Sequence, residues 1–210
     1  FGTVAAELTL FAAQPQTAAQ INAMTKAFAA LDAQGQATEA LQSNAGAGDY
    51  DAQYSTFDPG WRALLKARGY AGILLFNAND VLLYTVQKNA DFAVDFAKGS
   101  GSPLSEGVVA KLIERARTLQ AGEAAFADFS FYKPAPQPVS FMATPVYAGG
   151  KLDGVLVFEL SPKSISDTLS AIRGLGQTGD EIIVSSDGLM RTQSHLTADP
   201  NVLVTPIRGD

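Results

Sequence analysis

Residues Ala124–Leu160 read AAFADFSFYKPAPQPVSFMATPVYAGGKLDGVLVFEL. Three predicted strands, Ala124–Tyr132, Ser140–Tyr147 and Asp153–Leu160, follow one another with short connections. A loop carrying Pro134, Pro136 and Pro138 separates the first two, and Ala148–Gly149–Gly150 turns the second into the third. Proline fixes φ and glycine tolerates positive φ, so both punctuate strands rather than extend them. Strands joined this closely pair antiparallel.

Working outward, Ile73–Phe76 and Val81–Lys88 flank Asn77–Ala78–Asn79–Asp80, a hairpin connection of turn formers. Ser102–Pro103 is a cap-plus-proline helix start, with Leu104, Val108, Leu112 and Leu119 on its apolar face. Ser161–Pro162 opens another helix with Ile165, Leu169 and Ile172. Glu181–Ser185, an Asp187–Gly188 turn and Leu189–Gln193 read as a last hairpin.

Toward the N-terminus, Val4, Leu8, Phe11, Ala18, Ile21, Met24, Phe28 and Leu31 recur at helical spacing. Pro15 should break this helix near Ala12–Gln14. The stripe suits either a face packed on a sheet or a coiled-coil seam for a homodimer. Ala45–Asp51 reads as a loop. Asp58 and Pro59 read as cap and first residue of a short helix whose Trp61, Leu64 and Leu65 enter the core. The expected fold class is α+β, with a long N-terminal helix packed on a five-stranded antiparallel sheet. Three regions follow: a helical region at 1–69, a ligand-binding module at 70–173, and at 174–210 a linker with the opening hairpin of a second module.

Composition narrows the function classes. Of 210 residues 47% are hydrophobic, enough for a packed core, and the net charge of −6 without a basic cluster excludes a nucleic-acid backbone as partner. There is no cysteine, so disulfides and thiol chemistry are excluded. No run of 18 apolar residues occurs, and the chain starts at Phe1. An excised fragment is expected, with membrane spans outside it.

Catalytic and cofactor signatures fail on context. Gly174–Leu175–Gly176–Gln177–Thr178–Gly179 matches G-x-G-x-x-G, but a helix precedes it and a strand follows, the reverse of a dinucleotide site. His195 is the sole histidine, in a polar stretch, and no zincin, hydrolase-elbow or EF-hand pattern is present. No metal, no cofactor and no enzymatic activity are expected.

A binding face is expected instead. Strict alternation puts Phe126, Asp128, Ser130 and Tyr132 on one face of their strand, and Ala125, Ala127, Phe129 and Phe131 on the other, toward the helices. The same rule groups Leu82, Tyr84, Val86 and Lys88. An apolar cavity with a few placed polar groups is the usual form of a small-molecule site. Tyr84, Lys88, Asp128, Ser130 and Tyr132, with Ser140 and Met142 on the next strand, form the candidate set for a small polar ligand. Lys88 and Asp128, taken as lying on neighbouring strands, would clamp a zwitterion or hold each other. The other reading is a solvent-facing sheet surface with a salt bridge. Asn89–Asp95 either closes over the pocket or crosses the surface with Phe92 tucked in.

Gly72–Phe92, GILLFNANDVLLYTVQKNADF, resembles the strand–turn–strand of double Cache sensor regions in bacterial chemoreceptors; Tyr84, Thr85, Val86, Lys88, Asp91 and Phe92 fit that pattern. Phe126–Tyr132, Phe141–Val146, Gly154–Leu160, Gly174–Gly179 and Asp187–Arg191 continue it in order. The Tyr, Arg and Trp spacing of amino-acid-binding members is not found around Trp61. The resemblance implies a PAS-like sheet and a periplasmic sensor attached to membrane spans. Its output would be chemotaxis or, alternatively, a histidine kinase or cyclase. A ligand-free dimerisation module is the reading from a different class.

Overall fold

The computed structural model of the protein describes residues 2–32, 37–43, 47–170, 182–194, 196, 201–204 and 206–207, with the backbone alone at 167–170. Five strands form one antiparallel sheet: β1 (Gly72–Asn77), β2 (Leu82–Thr85), β3 (Ala125–Ser130), β4 (Val139–Ala148) and β5 (Lys151–Leu160). Their order across the sheet is β2-β1-β5-β4-β3. The helices are α1 (Gly2–Ala12), α2 (Pro15–Leu31), α3 (Ala37–Gln42), α4 (Asp49–Arg68), α5 (Val108–Ala116) and α6 (Pro162–Ser170). This is the expected α+β class, with α5 between the second and third strands.

The N-terminal helix divides at Pro15, which becomes the first residue of α2 behind an extended Gln14. The Thr17 hydroxyl donates to the Phe11 carbonyl at 2.7 Å and ties the two pieces together. Leu8, Ile21, Met24 and Phe28 are buried against the sheet, so the stripe is a packing face. These four side chains are spent on packing within the chain.

Helix α4 departs from expectation. It starts at Asp49, inside the expected loop, and runs through Pro59 to a left-handed Gly69. Pro59 forfeits one intrahelical hydrogen bond, while Tyr50, Tyr54 and Trp61, on one face of the helix, are all buried. Aromatic burial outweighs the proline. Trp61 donates from Nε1 to the buried Gln20 Oε1 at 2.7 Å and packs on Phe11. Trp61→Phe is expected to cost about 1–2 kcal/mol in denaturant unfolding, because Gln20 stays buried without its donor. Helix α5 begins at Val108 rather than at Ser102–Pro103, after a turn and an extended Gly107.

Both faces of the sheet are covered. Ile73, Leu75, Leu83, Met142, Leu156 and Phe158 meet α1, α2 and α4. Leu74, Phe76, Leu82, Phe141, Val155 and Val157 meet α5 and the Phe96 region. The solvent-facing sheet is therefore not what forms; all six residues of β1 are buried.

The two edge strands each carry an irregularity that alternation cannot see. In β2, Leu75 opposes Tyr84 while Phe76 opposes Leu82, which makes Leu83 an extra residue. In β3, Ala127 opposes Phe141 while Ser130 opposes Val139, so Asp128 and Phe129 share one partner position. A bulge of one residue reverses the facing of everything beyond it. Leu82 and Tyr84 thus lie on opposite faces, as do Phe126 and Tyr132. Phe131, expected to face the helices, is 71% exposed.

At the C-terminus, the expected hairpin survives as single bridges, Val184 to Met190 and Leu189 to Pro206. Gly174–Gly179 and His195 lie outside the described residues.

Candidate functional site

The seven residues expected to line one pocket are distributed over two faces and both edges. Lys88 follows β2 and Asp128 lies in β3, the two outermost strands, about 19 Å apart at the usual strand spacing. They do not clamp anything between them. Lys88 has a left-handed backbone, φ 50, and holds its ammonium 4.1 Å above the centre of the Tyr54 ring. A hollow of about 240 Å³ lies beside it, bounded by Leu41, Gln42, Asn89 and Phe92. Tyr84 is buried on the same side and donates to Asp58 Oδ1 at 3.0 Å; Asp58 also holds Arg62 at 2.5 Å. Ser140 and Met142 are buried in strand β4, and Met142 belongs to the core under the N-terminal helices.

Asp128 is turned outward by the bulge. Its Oδ2 accepts from Arg191 Nε at 3.0 Å, while Arg191 Nη2 donates to Asp187 at 2.6 Å. The Arg191 side chain is 8% exposed, so a C-terminal segment is latched to the edge of the sheet. These contacts draw the Asp187 carboxyl below its ordinary range. Phe126, Phe129 and Ile165 complete a second hollow, of about 250 Å³, beside the latch.

Ser130 and Tyr132 go elsewhere, and they lead to residues that alternation did not single out. The Tyr132 hydroxyl donates to Asp91 Oδ2 at 2.8 Å in the interior. Asp91 follows one edge strand and Tyr132 follows the other, so this bond joins the two edges over the end of the sheet. Asp91 is 3% exposed, and its second oxygen, Oδ1, has no hydrogen-bond partner among the described residues. The Ser130 hydroxyl is buried and equally unpartnered. Glu159, next to last in the central strand β5, is electrostatically coupled to Asp91 and to Tyr132. It sits directly opposite Gly72.

The electrostatics follow from that crowding. Burial pushes the Glu159 carboxyl up to about 7, and the Asp91 charge adds to the shift. Burial also raises Asp91, with the Tyr132 hydrogen bond working in the opposite direction. Tyr132 is raised by burial and by the Asp91 carboxylate it serves. No Lys or Arg pairs with Asp91 or Glu159 among the described residues. Two carboxylates and a phenol therefore interact in the interior, and neither carboxylate is paired with a cation among the described residues.

The strap that delivers Asp91 is held from both sides. Lys88 and Ala93 both take positive φ, 50 and 62. Between them Phe92 packs tilted against Tyr50 and edge-on to Tyr54, while Gln42 donates to the Phe92 carbonyl at 2.8 Å and Thr38 to that of Ala93 at 2.7 Å. Phe92 is tucked in, and Asp91 beside it closes over the sheet end. The sequence signal for Asp91 was its place in the strand–turn–strand resemblance.

Comparison with known proteins places this geometry in context. No family model matches the sequence. A probable chemoreceptor, y4sI of Sinorhizobium fredii (strain NBRC 101917 / NGR234), is 25% identical over 158 residues, or 71% of this chain. The sequence resembles a chemoreceptor. That likeness agrees with the double Cache resemblance carried by Gly72–Phe92 and Phe126–Leu160. The chain spans about a fifth of the relative's length, 19%. Among solved structures, the sensory domain of the Campylobacter jejuni chemoreceptor Tlp3 with isoleucine bound aligns with a TM-score of 0.49 at 10% identity, over 93% of this chain and 74% of that one. The sensor domain of the Vibrio cholerae histidine kinase DctB gives 0.48 at 13% identity, over 83% and 64%. The ligand-binding domain of the Pseudomonas fluorescens chemoreceptor CtaA with L-valine gives 0.44 at 18%, over 90% and 71%.

Proposed function

We propose that this chain is the extracytoplasmic sensory domain of a bacterial chemoreceptor, and that its ligand is a small solute carrying a protonated amine. The observation that supports the ligand class is Asp91: 3% exposed, with a second carboxylate within electrostatic range and, among the described residues, one oxygen unpartnered and no basic side chain paired with it. An ammonium group bridging Asp91 and Glu159 supplies the missing charge, and Ser130 and Tyr132 orient the rest of the solute. Lys88, Tyr84, Asp128 and Met142 are given structural work by their contacts and leave the ligand set; Ser140 keeps a buried hydroxyl with no hydrogen-bond partner among the described residues. No described helix is long and apolar enough to cross a membrane; anchoring spans, a periplasmic location and the absence of turnover belong to this proposal.

Signalling then requires only that the ligand prefer one of two arrangements of the strap and helices. The strap is hydrogen-bonded to α3 and packed edge-on against Tyr54 of α4, so a shift at Asp91 bears on the N-terminal helices through Thr38, Gln42 and Tyr54. Couplings of about 1–3 kcal/mol are typical of such devices.

A thermal-shift screen of amines, amino acids, small carboxylates and purines tests the reading. Protonated amines are expected to raise the unfolding temperature of the wild type, by about 2.7 kcal/mol of stability at a hundredfold excess over Kd. Asp91→Asn should abolish the rise. A rise that persists undiminished in Asp91→Asn, or one produced by anions alone, contradicts the proposal.

A further inference from the structure

The Glu159 carboxylate does not stand upright on the sheet. It lies across the β1–β5 boundary, over the backbone of Gly72, which is its direct partner in the ladder. A Cβ built at position 72 would stand 2.5 Å from Glu159 Oε2 and 3.2 Å from its Cβ. The first contact is with the free end of a flexible side chain, so a methyl group there moves the carboxylate rather than the strand. The Gly72 φ lies outside the left-handed region, so the backbone does not demand glycine. Space for Glu159 does.

We propose that Gly72 is a specificity-determining position: by leaving room for the Glu159 carboxylate beside Asp91, it makes the site a two-carboxylate receptor for cationic solutes. With any larger residue at 72, Glu159 is turned away, and the Asp91–Tyr132 pair remains with one carboxylate. Gly72 touches no ligand and acts through Glu159, which makes it a positioning residue. This inference rests on the reading of Asp91 and Glu159 as the ligand site.

Two readouts on Gly72→Ala, with Gly72→Ser as the second variant, separate the inference from the reading beneath it. The first is the titration of Glu159, followed by carbon-detected NMR of labelled glutamates and assigned with Glu159→Gln. Its midpoint is expected to fall by about one unit or more from the wild-type position as the carboxylate regains water. The second is calorimetric binding of propylammonium chloride, expected to weaken about tenfold in Gly72→Ala, with Glu159→Gln adding nothing further in that background. A Glu159 midpoint unmoved by both substitutions overturns the role of Gly72, whatever the amine does. A midpoint that moves while the wild type binds no propylammonium upholds the positioning and overturns the amine reading.

Discussion

Gly154→Ala is expected to destabilise the protein by about 3 kcal/mol, the largest effect of any single-methyl addition described above. A Cβ at Gly154 would stand 2.0 Å from the Phe76 carbonyl oxygen and 3.2 Å from the Asn77 Cα, both backbone atoms of the neighbouring strand. Nothing flexible is available to yield, in contrast to Gly72. The β1–β5 ladder must open or slip, and a slip of one residue turns Glu159 from the α5 side of the sheet to the side of the N-terminal helices. The variant should therefore lose amine binding along with stability. Chemical denaturation of the two proteins side by side measures the effect. A loss under about 1 kcal/mol would mean that β1 and β5 are not held in the register described.

Stability should fall as pH rises from about 4.5 to about 7, and Glu159→Gln should flatten that fall. The carboxyl titrates near 7 in the folded chain against an ordinary 4.5, and the raised value means that the folded state holds its proton longer. Where the folded state binds more protons than the unfolded one, raising the pH favours unfolding. The contribution is intact below 4.5, is lost progressively through the window, and is gone above 7. Glu159 is only partly buried, so solvent reduces the full linkage value to about 2 kcal/mol. Of the groups facing it, Asp91 works in the same direction, since burial raises it too, while the Tyr132 hydrogen bond opposes that shift. Urea unfolding from pH 4.5 to 8 checks the prediction. A stability that rises over this range, or an equal fall in Glu159→Gln, contradicts it.

The elements were legible in the sequence because proline and glycine mark their ends plainly. Pro15, Gly69 and the Ala148–Gly150 turn stand where the chain changes direction, and the three strands of Ala124–Leu160 emerge within one or two residues of their expected bounds. Helix α4 was not legible, since Pro59 is a start signal by local chemistry and becomes an interior residue only when Tyr50, Tyr54 and Trp61 are buried together. The grouping of the seven residues on one face failed for a sharper reason. Period-two alternation is reliable until one residue is inserted, and Leu83 and the Asp128–Phe129 pair are such insertions, one in each edge strand. Nothing in residue type betrays them. Tyr132 finds its partner on a strap, at Asp91, and not on a neighbouring strand. Asp91 was visible as part of a resemblance, and Glu159 not at all. Its role depends on Gly72 opposite it, a relation of register that only the folded sheet defines.

The most direct test of a cation held between Asp91 and Glu159 is the proton balance of binding. The strongest amine found in the thermal-shift screen is titrated into the protein by calorimetry at pH 7, in two buffers of different ionisation enthalpy. Glu159 is about half protonated at that pH in the free protein and must ionise to receive an ammonium group. Release of about half a proton per amine bound is therefore predicted, with none in Glu159→Gln. Binding with no proton exchange, or with release unchanged in Glu159→Gln, would place the ligand away from these carboxylates.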